Sequence, residues 1–316
     1  MMGVLDYIKF RFFSEKPNAH NGDKFVEFID AMGRPVLVNK EKYRVDILPS
    51  FFRAEWNNPD NLYIRIIGSL DDGLAAECIE PAKRLLEIDP NVERSKTVYG
   101  IVLNKNGKYR EAEEFFKSCL AGDGESAAML CNLAKSYSFQ HGTTDLVINT
   151  LWRSLELDPN IQNSVGWFAS IERERAGEAG YVAALERISA LTGSWQADLW
   201  LAKHALESKN LDKALALYDK IFQVSSNDSE ALFQASGDLG KNGHSRTMVE
   251  LVGPLYNMEQ HGYKPAMNLM QAYVELDERD KGCRLLKELR SLNRPDLVQH
   301  VLRFERLLKC DQSAGV

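Results

Sequence analysis

The chain has 316 residues, 44% of them hydrophobic, 27% charged and 9% aromatic, with Gly 21 and Pro 10. This composition excludes intrinsic disorder and collagen-like or mucin-like chains, and a mean hydropathy of -0.33, with no apolar run near the ~18–20 residues of a membrane span, argues against an integral membrane protein. Lys+Arg 39 against Asp+Glu 45 gives a net charge of -6, so no chain-wide surplus of cations is present to displace counterions from nucleic-acid phosphates.

In chain order, residues 1–24 read as a short amphipathic segment and a flexible linker. Val4, Leu5, Ile8, Phe10, Phe12 and Phe13 are interrupted by Asp6, Lys9 and Arg11, a pattern without the long apolar stretch of a secretory leader. Such a segment docks back on its own core or, as the alternative, dips into a membrane interface or a partner groove. Residues 25–58 leave the helical period. Phe25–Asp30 and Pro35–Asn39 alternate around the turn Ala31-Met32-Gly33-Arg34, which predicts a β-hairpin. A second extended run is expected at Tyr43–Leu48, ended by Pro49, with Pro49–Trp56 as a connection. Two or three strands with one apolar face cannot stand alone in water, so this segment is expected to cap the first helix pair, opened by Asn58-Pro59-Asp60.

Residues 59–293 repeat. Leu-Glu-Ile-Asp-Pro-Asn at 86–91 returns as Leu-Glu-Leu-Asp-Pro-Asn at 155–160, 69 residues later, or two periods of about 34 residues. Turn clusters fall in phase with them at Gly122-Asp123-Gly124 and Ser225-Ser226-Asn227-Asp228. Each block splits into two stretches of 3.6 period around a polar or glycine turn. Ala112, Phe116 and Cys119 share one face, as do Leu133, Ala134 and Tyr137, then Val147, Leu151 and Ser154. Later blocks repeat the pattern through Leu201, Ala202, Ala205, Ala214, Tyr218 and Ile221, and again through Leu232, Ala235, Leu239, Ala266, Leu269 and Tyr273. In 161–192 the run Glu172-Arg173-Glu174-Arg175 stands where an aliphatic residue is expected, which predicts a longer, rotated or kinked unit. Residues 294–316 read as a capping helix and tail, Leu297, Val298, Val301, Leu302, Leu307 and Leu308 alternating with charges, as the open end of a repeat stack requires.

These residues resemble the tetratricopeptide repeat. Gly100, Ala112 and Phe116 match its pattern of small and bulky positions, as do Leu133, Ala134, Tyr137 and Pro159. Small residues let helices cross closely, and Pro ends the second helix. The resemblance implies an all-α, right-handed helix-turn-helix repeat solenoid of about seven helix pairs, here with the small N-terminal β-hairpin cap. It also implies that the first helix of each pair lines a concave groove for a peptide or helix of a partner protein. The groove residues would be Arg94, Ile101, Asn104 and Lys105 in one unit and Asn132, Lys135 and Phe139 in the next, followed by Trp200 and Lys203, then Asn268 and Gln271. Asn offers a donor and an acceptor to a peptide backbone, and Lys105 and Lys135 offer charge to a carboxylate. This is a partial version of the carboxylate clamp of chaperone-binding members, without its full Lys/Asn/Asn/Lys/Arg set. Trp200 is either an anchor for a partner or packing between consecutive first helices.

No HExxH pair, phosphate-binding Gly-rich loop or Gly-x-Ser-x-Gly elbow occurs, and the six histidines are scattered singly. No catalytic residue, metal ligand, cofactor or small-molecule substrate is therefore expected. Cys78, Cys119, Cys131, Cys283 and Cys310 are too far apart in sequence for a local zinc knuckle or Cys-x-x-Cys, and read as buried reduced thiols of a cytoplasmic protein. The expected function is a non-catalytic scaffold or adaptor, the alternatives being a membrane-peripheral assembly factor or an accessory subunit of an enzyme complex. Oligomeric state is left open.

Overall fold

The computed structural model of the chain describes residues 24–29, 34–225 and 228–310. The amphipathic segment read at residues 1–13, most of its linker, the hairpin turn, Ser226-Asn227 and the tail after Cys310 lie outside the described residues. The fold class is the expected one: all-α helix-turn-helix repeats with a small N-terminal antiparallel hairpin. The chain divides into two compact units, Met1–Leu157 and Asp158–Val316.

In the first unit, β1 (Phe25–Ile29) and β2 (Pro35–Asn39) pair antiparallel, Phe25 opposite Asn39 and Ile29 opposite Pro35. Val26 is buried in one cluster with Tyr43, Leu48, Phe52, Leu62, Ile66 and Leu85, and Phe28 and Val38 pack on its rim. The hairpin thus gains the apolar partner that two strands cannot supply themselves.

The extended run expected at Tyr43–Leu48 is helical instead, and so is the expected connection after it. Lys40–Lys42 forms a helical turn, Tyr43–Ile47 a π-turn, and α1 (Leu48–Glu55) follows. Pro49 has no N–H to close an α-type bond onto the preceding turn. The wide turn absorbs that loss: the Leu48 N–H donates to the Tyr43 carbonyl five residues back. Tyr43 and Leu48 then both reach the core, at 3% and 1% exposure, while Val45 stays outside at 56%. Alternating Tyr43, Val45 and Ile47 imitated a strand because a π-turn also breaks the 3.6 period.

The helix pairs of this unit are α2 (Pro59–Asp71) with α3 (Ile79–Ile88), α4 (Val92–Lys105) with α5 (Tyr109–Asp123), and α6 (Ala127–His141) with α7 (Asp145–Leu157). Asn58, Asn91 and Ser126 cap α2, α4 and α6, each side-chain oxygen accepting from the backbone N–H three residues on. Gly100 explains the small-residue position: a Cβ there would lie 2.0 Å from the tip of the fully buried Phe116 ring. Arg65 on α2 and Glu55 on α1 form a buried two-bond ion pair (2.8 and 3.0 Å), with the guanidinium 4.1 Å from the Phe51 ring centroid.

In the second unit, α8 (Gln162–Ser189) is broken at Ala176-Gly177, where Gly177 has a φ of 66°. Of the longer, rotated or kinked forms expected of this unit, the chain shows a kink, with the two helices of the pair joined directly. The remaining pairs are α9 (Gln196–Glu207) with α10 (Leu211–Ser225), α11 (Ser229–Lys241) with α12 (Ser245–Val252), and α13 (Tyr263–Glu275) with α14 (Arg279–Ser291). The terminal helix α15 (Val298–Leu308) buries Val301, Phe304 and Leu308, and Leu308 fills the space beside Gly282. Leu302 and Leu307, expected in the apolar stripe, are 46% exposed, because the buried face runs through Leu297, Val301, Phe304 and Leu308 at helical spacing and leaves positions 302 and 307 outside it.

The expectation of five reduced thiols is corrected. Cys283 on α14 and Cys310, just beyond α15, form a disulfide with a Cα–Cα distance of 5.7 Å. They lie 27 residues apart in sequence, and only the antiparallel packing of α15 on α14 brings them together. Cys78, Cys119 and Cys131 are free and buried, and burial, aided by Glu77, pushes the Cys78 thiol up to about 12.

Candidate functional site

The first helices of consecutive pairs lie side by side, α2 with α4 and α4 with α6 in the first unit, α9 with α11 and α11 with α13 in the second. Polar side chains stitch these contacts. Asn104 on α4 donates from Nδ2 to the Asn132 carbonyl (3.2 Å) and accepts at Oδ1 from the Ser136 hydroxyl (3.0 Å), both on α6. In the second unit Asn268 on α13 donates to the Phe233 carbonyl (3.3 Å) and the Ser236 hydroxyl (2.9 Å) of α11. Gln196 on α9 donates to the Gln234 side chain of α11 (3.3 Å). An amide has the donor and acceptor needed to satisfy buried polar groups between two helices.

This stitching separates the candidate residues. Asn104 and Asn132 are buried, at 7% and 8% exposure, and Asn132 spends its amide N–H on the Ala128 carbonyl of its own helix (2.9 Å). Arg94 bridges Asp89 and Asp60 (2.8 Å each) and lies 4.9 Å from the Tyr63 ring centroid. It therefore ties α4 to α2 and to the turn before α4. For Asp89, burial favours the neutral form, but the Arg94 guanidinium and the Asn91 N–H outweigh it and hold the carboxyl below its usual range. Trp200 is half-buried and packs on Gly166 of α8, whose Cβ, if present, would lie 2.7 Å from the indole. Gln271 is bonded to Glu275 (2.9 Å) and accepts from Arg303 (3.1 Å). Ile101 is half-buried.

What faces outward in the first unit is smaller and sharper. Phe139 on α6 is 59% exposed, and its ring stacks on Tyr109 of α5 with centroids 4.5 Å apart and planes at 18°. Lys135 lies one helical turn before Phe139, its Nζ held among the described residues by a 3.5 Å contact to the Asn132 side chain. Gln140 fixes this end of α6 by donating to Glu113 of α5 (2.8 Å). Tyr109 was absent from the candidate set, and its only sequence signal is its place at the start of α5 after the Asn106-Gly107 turn. Lys105, at the end of α4, is exposed but points to a different place, a cavity under the hairpin.

In the second unit, Lys203 on α9 is exposed and acts on Asp238 of α11. Burial pushes the Asp238 carboxyl up to about 6, opposed by Lys203 and Lys241 and reinforced by Glu207. Among the described residues no group of three or more His, Cys, Asp and Glu side chains has the arrangement to hold a metal ion. No described helix is long and apolar enough to cross a membrane.

No protein-family model matches the chain, and no curated protein matches it. Among solved structures, yeast Tom70 is similar at 13% identity over 83% of this chain and 57% of that one, with a TM-score of 0.50. The chain has the tetratricopeptide-repeat fold. A tetratricopeptide repeat protein from Parabacteroides merdae is similar at 15% identity over 79% of this chain and 98% of that one, with a TM-score of 0.36. A Thermus thermophilus tetratricopeptide protein, TTC0263, is similar at 17% identity over 57% and 98%, with a TM-score of 0.36. Identities this low carry the fold and not the partner. The role of each residue therefore rests on its own geometry in this chain.

Proposed function

We propose that the chain is a non-catalytic interaction scaffold or adaptor that captures a peptide or helix of a partner protein on its first-helix face. The observation that carries this reading is the exposed Phe139 ring, held rigid by Tyr109 beside the lightly tethered Lys135. An aromatic ring fixed in place and left open to solvent is the usual anchor of an interface, and a neighbouring ammonium selects an acidic partner group. Asn104 and Arg94 hold the first-unit helices that present this face, while Asn268 and Trp200 serve helix contacts within the second unit.

The test is an affinity pull-down with the intact chain beside a Lys135→Ala, Phe139→Ala double variant of unchanged thermal stability. Loss of a partner from the variant only is the expected result. Equal recovery from both would remove this face from the reading. Asn132→Ala is a poor probe, because it leaves the contacts of Asn132 on α6 unmade.

Cellular location is part of the same reading. Three buried thiols suit the cytoplasm, whereas the Cys283–Cys310 bond favours an oxidising compartment. Alkylation in denaturant without reductant, applied directly as the cell is opened and followed by mass measurement, separates the two: five alkylated cysteines mark a reducing compartment and three an oxidising one.

A further inference from the structure

A cavity of about 710 Å³ opens where the hairpin cap meets the first turn of the repeats. Its walls come from Lys24 before β1, the segment Asn39–Glu41 with Arg44, the α2–α3 turn at Gly73–Glu77, and Lys105-Asn106 at the end of α4. Four cations and two carboxylates, Glu41 and Glu77, line it. Both carboxylates are already engaged by one cation. Arg44 grips Glu41 through Nε (2.9 Å) and Nη2 (2.5 Å), and reaches Glu77 through Nη1 (3.1 Å). The Arg44 guanidinium holds the Glu41 carboxyl below its usual range.

The other three cations are left over. Among the described residues no side chain hydrogen-bonds or ion-pairs with the ammonium groups of Lys24, Lys40 or Lys105. Lys40 folds over the α2–α3 turn, its Nζ 3.2 Å from where a Cβ of Gly73 would stand, so its charge is directed at the cavity wall and not away from the protein. Like charges gathered around one cavity repel, and in a chain of net charge -6 they do not come from a generally basic surface. An anion with several oxygens relieves that repulsion and gives each ammonium a charge-assisted bond. The volume lies within the ~300–1,000 Å³ range of small-ligand sites and is small for a protein partner.

We propose that this cavity is a binding site for a small multivalent oxyanion, a ligand presenting phosphate or carboxylate oxygens to Lys24, Lys40 and Lys105. The site is separate from the Phe139 face and does not depend on it. Its test is isothermal titration calorimetry of the full chain at low salt, with inorganic pyrophosphate in one arm and citrate in the other. The expected result is one anion bound per chain, weakened ~10-fold or more in a Lys40→Gln, Lys105→Gln double variant of unchanged melting temperature, and weakened further by added salt. A Lys135→Gln control is expected to bind like the unsubstituted chain. The arm that binds more tightly assigns the ligand to phosphate or carboxylate chemistry. Absence of binding in both arms at about 1 mM anion, or equal affinity in the chain and the double variant, would overturn the proposal. Neither outcome touches the pull-down result at Lys135 and Phe139, so the two readings fail separately.

Discussion

Asp238 carries a charge whose state is decided by its neighbours and not by its identity. With its pKa pushed up to about 6 by burial, the folded chain holds this proton more tightly than the unfolded chain, where the carboxyl titrates near its ordinary value of 3.8. Stability from this residue is therefore full below about pH 4 and falls as pH rises toward about 6. Asp238→Asn is expected to raise the melting temperature at about pH 8 and to leave it unchanged near pH 4. The gain has an upper limit of about 3 kcal/mol, reduced by residual solvent screening, and thermal melts across pH check it. Asn91 and Asn160 make the same point without charge. They end identical Asp-Pro-Asn motifs, yet Asn91 caps its own helix through the Arg94 N–H (3.0 Å), while Asn160 reaches another loop. It accepts from Trp195 and Gln196 (2.8 and 3.0 Å) and donates to the Gly193 carbonyl (2.9 Å). The motif was legible as a turn; which backbone it would satisfy was not.

Among the elements, the helix pairs were readable because each buries one stripe at 3.6 spacing and is closed by Asn, Gly or Pro. The segment Lys40–Glu55 was not, since its π-turn shifts the period and Pro49 looks like a strand end. What holds that segment is the Glu55–Arg65 pair joining α1 to α2. Both side chains are under 10% exposed, at 7% and 8%, so removing one partner strands a buried charge. Arg65→Ala is expected to cost about 3–5 kcal/mol, and an Arg65→Met, Glu55→Leu double variant much less. Urea unfolding followed by tryptophan fluorescence measures both. The opposite ordering would show that the pair is solvated in the folded chain. The candidate site was half legible for a related reason. Spacing placed Asn104, Asn132 and Asn268 on first helices, but the side of the helix that meets its neighbour depends on how the pairs stack; that stacking consumed the amides of Asn104 and Asn268 and buried Asn132, whose amide turns back on its own helix.

For the whole molecule, the Cys283–Cys310 disulfide is a covalent tie between elements, joining α14 to the end of α15. Closing a loop of 27 residues removes unfolded-state freedom worth about 3–4 kcal/mol in the chain-entropy account. Cys283→Ser is expected to lower stability by that order. In hydrogen exchange, protection should fall first in α14 and α15, with helices of the Met1–Leu157 unit unchanged, because contacts in repeat proteins pass only between neighbours. A uniform loss of protection in both units would refute that locality.

By itself the sequence determined the class of fold, the pairing of helices, the hairpin and the kinked unit, because periodicity, capping residues and Gly or Pro punctuation act over a few neighbours and are written in order along the chain. Contacts between residues well separated along the chain were decided only by the tertiary structure. The Cys283–Cys310 bond, the Tyr109–Phe139 stack, the raised pKa of Asp238 and the cluster of Lys24, Lys40 and Lys105 all depend on which faces the stacked helices turn toward one another. That choice is made by the packing of bulky on small residues, Phe116 on Gly100 and Trp200 on Gly166, and no single segment contains both halves of it.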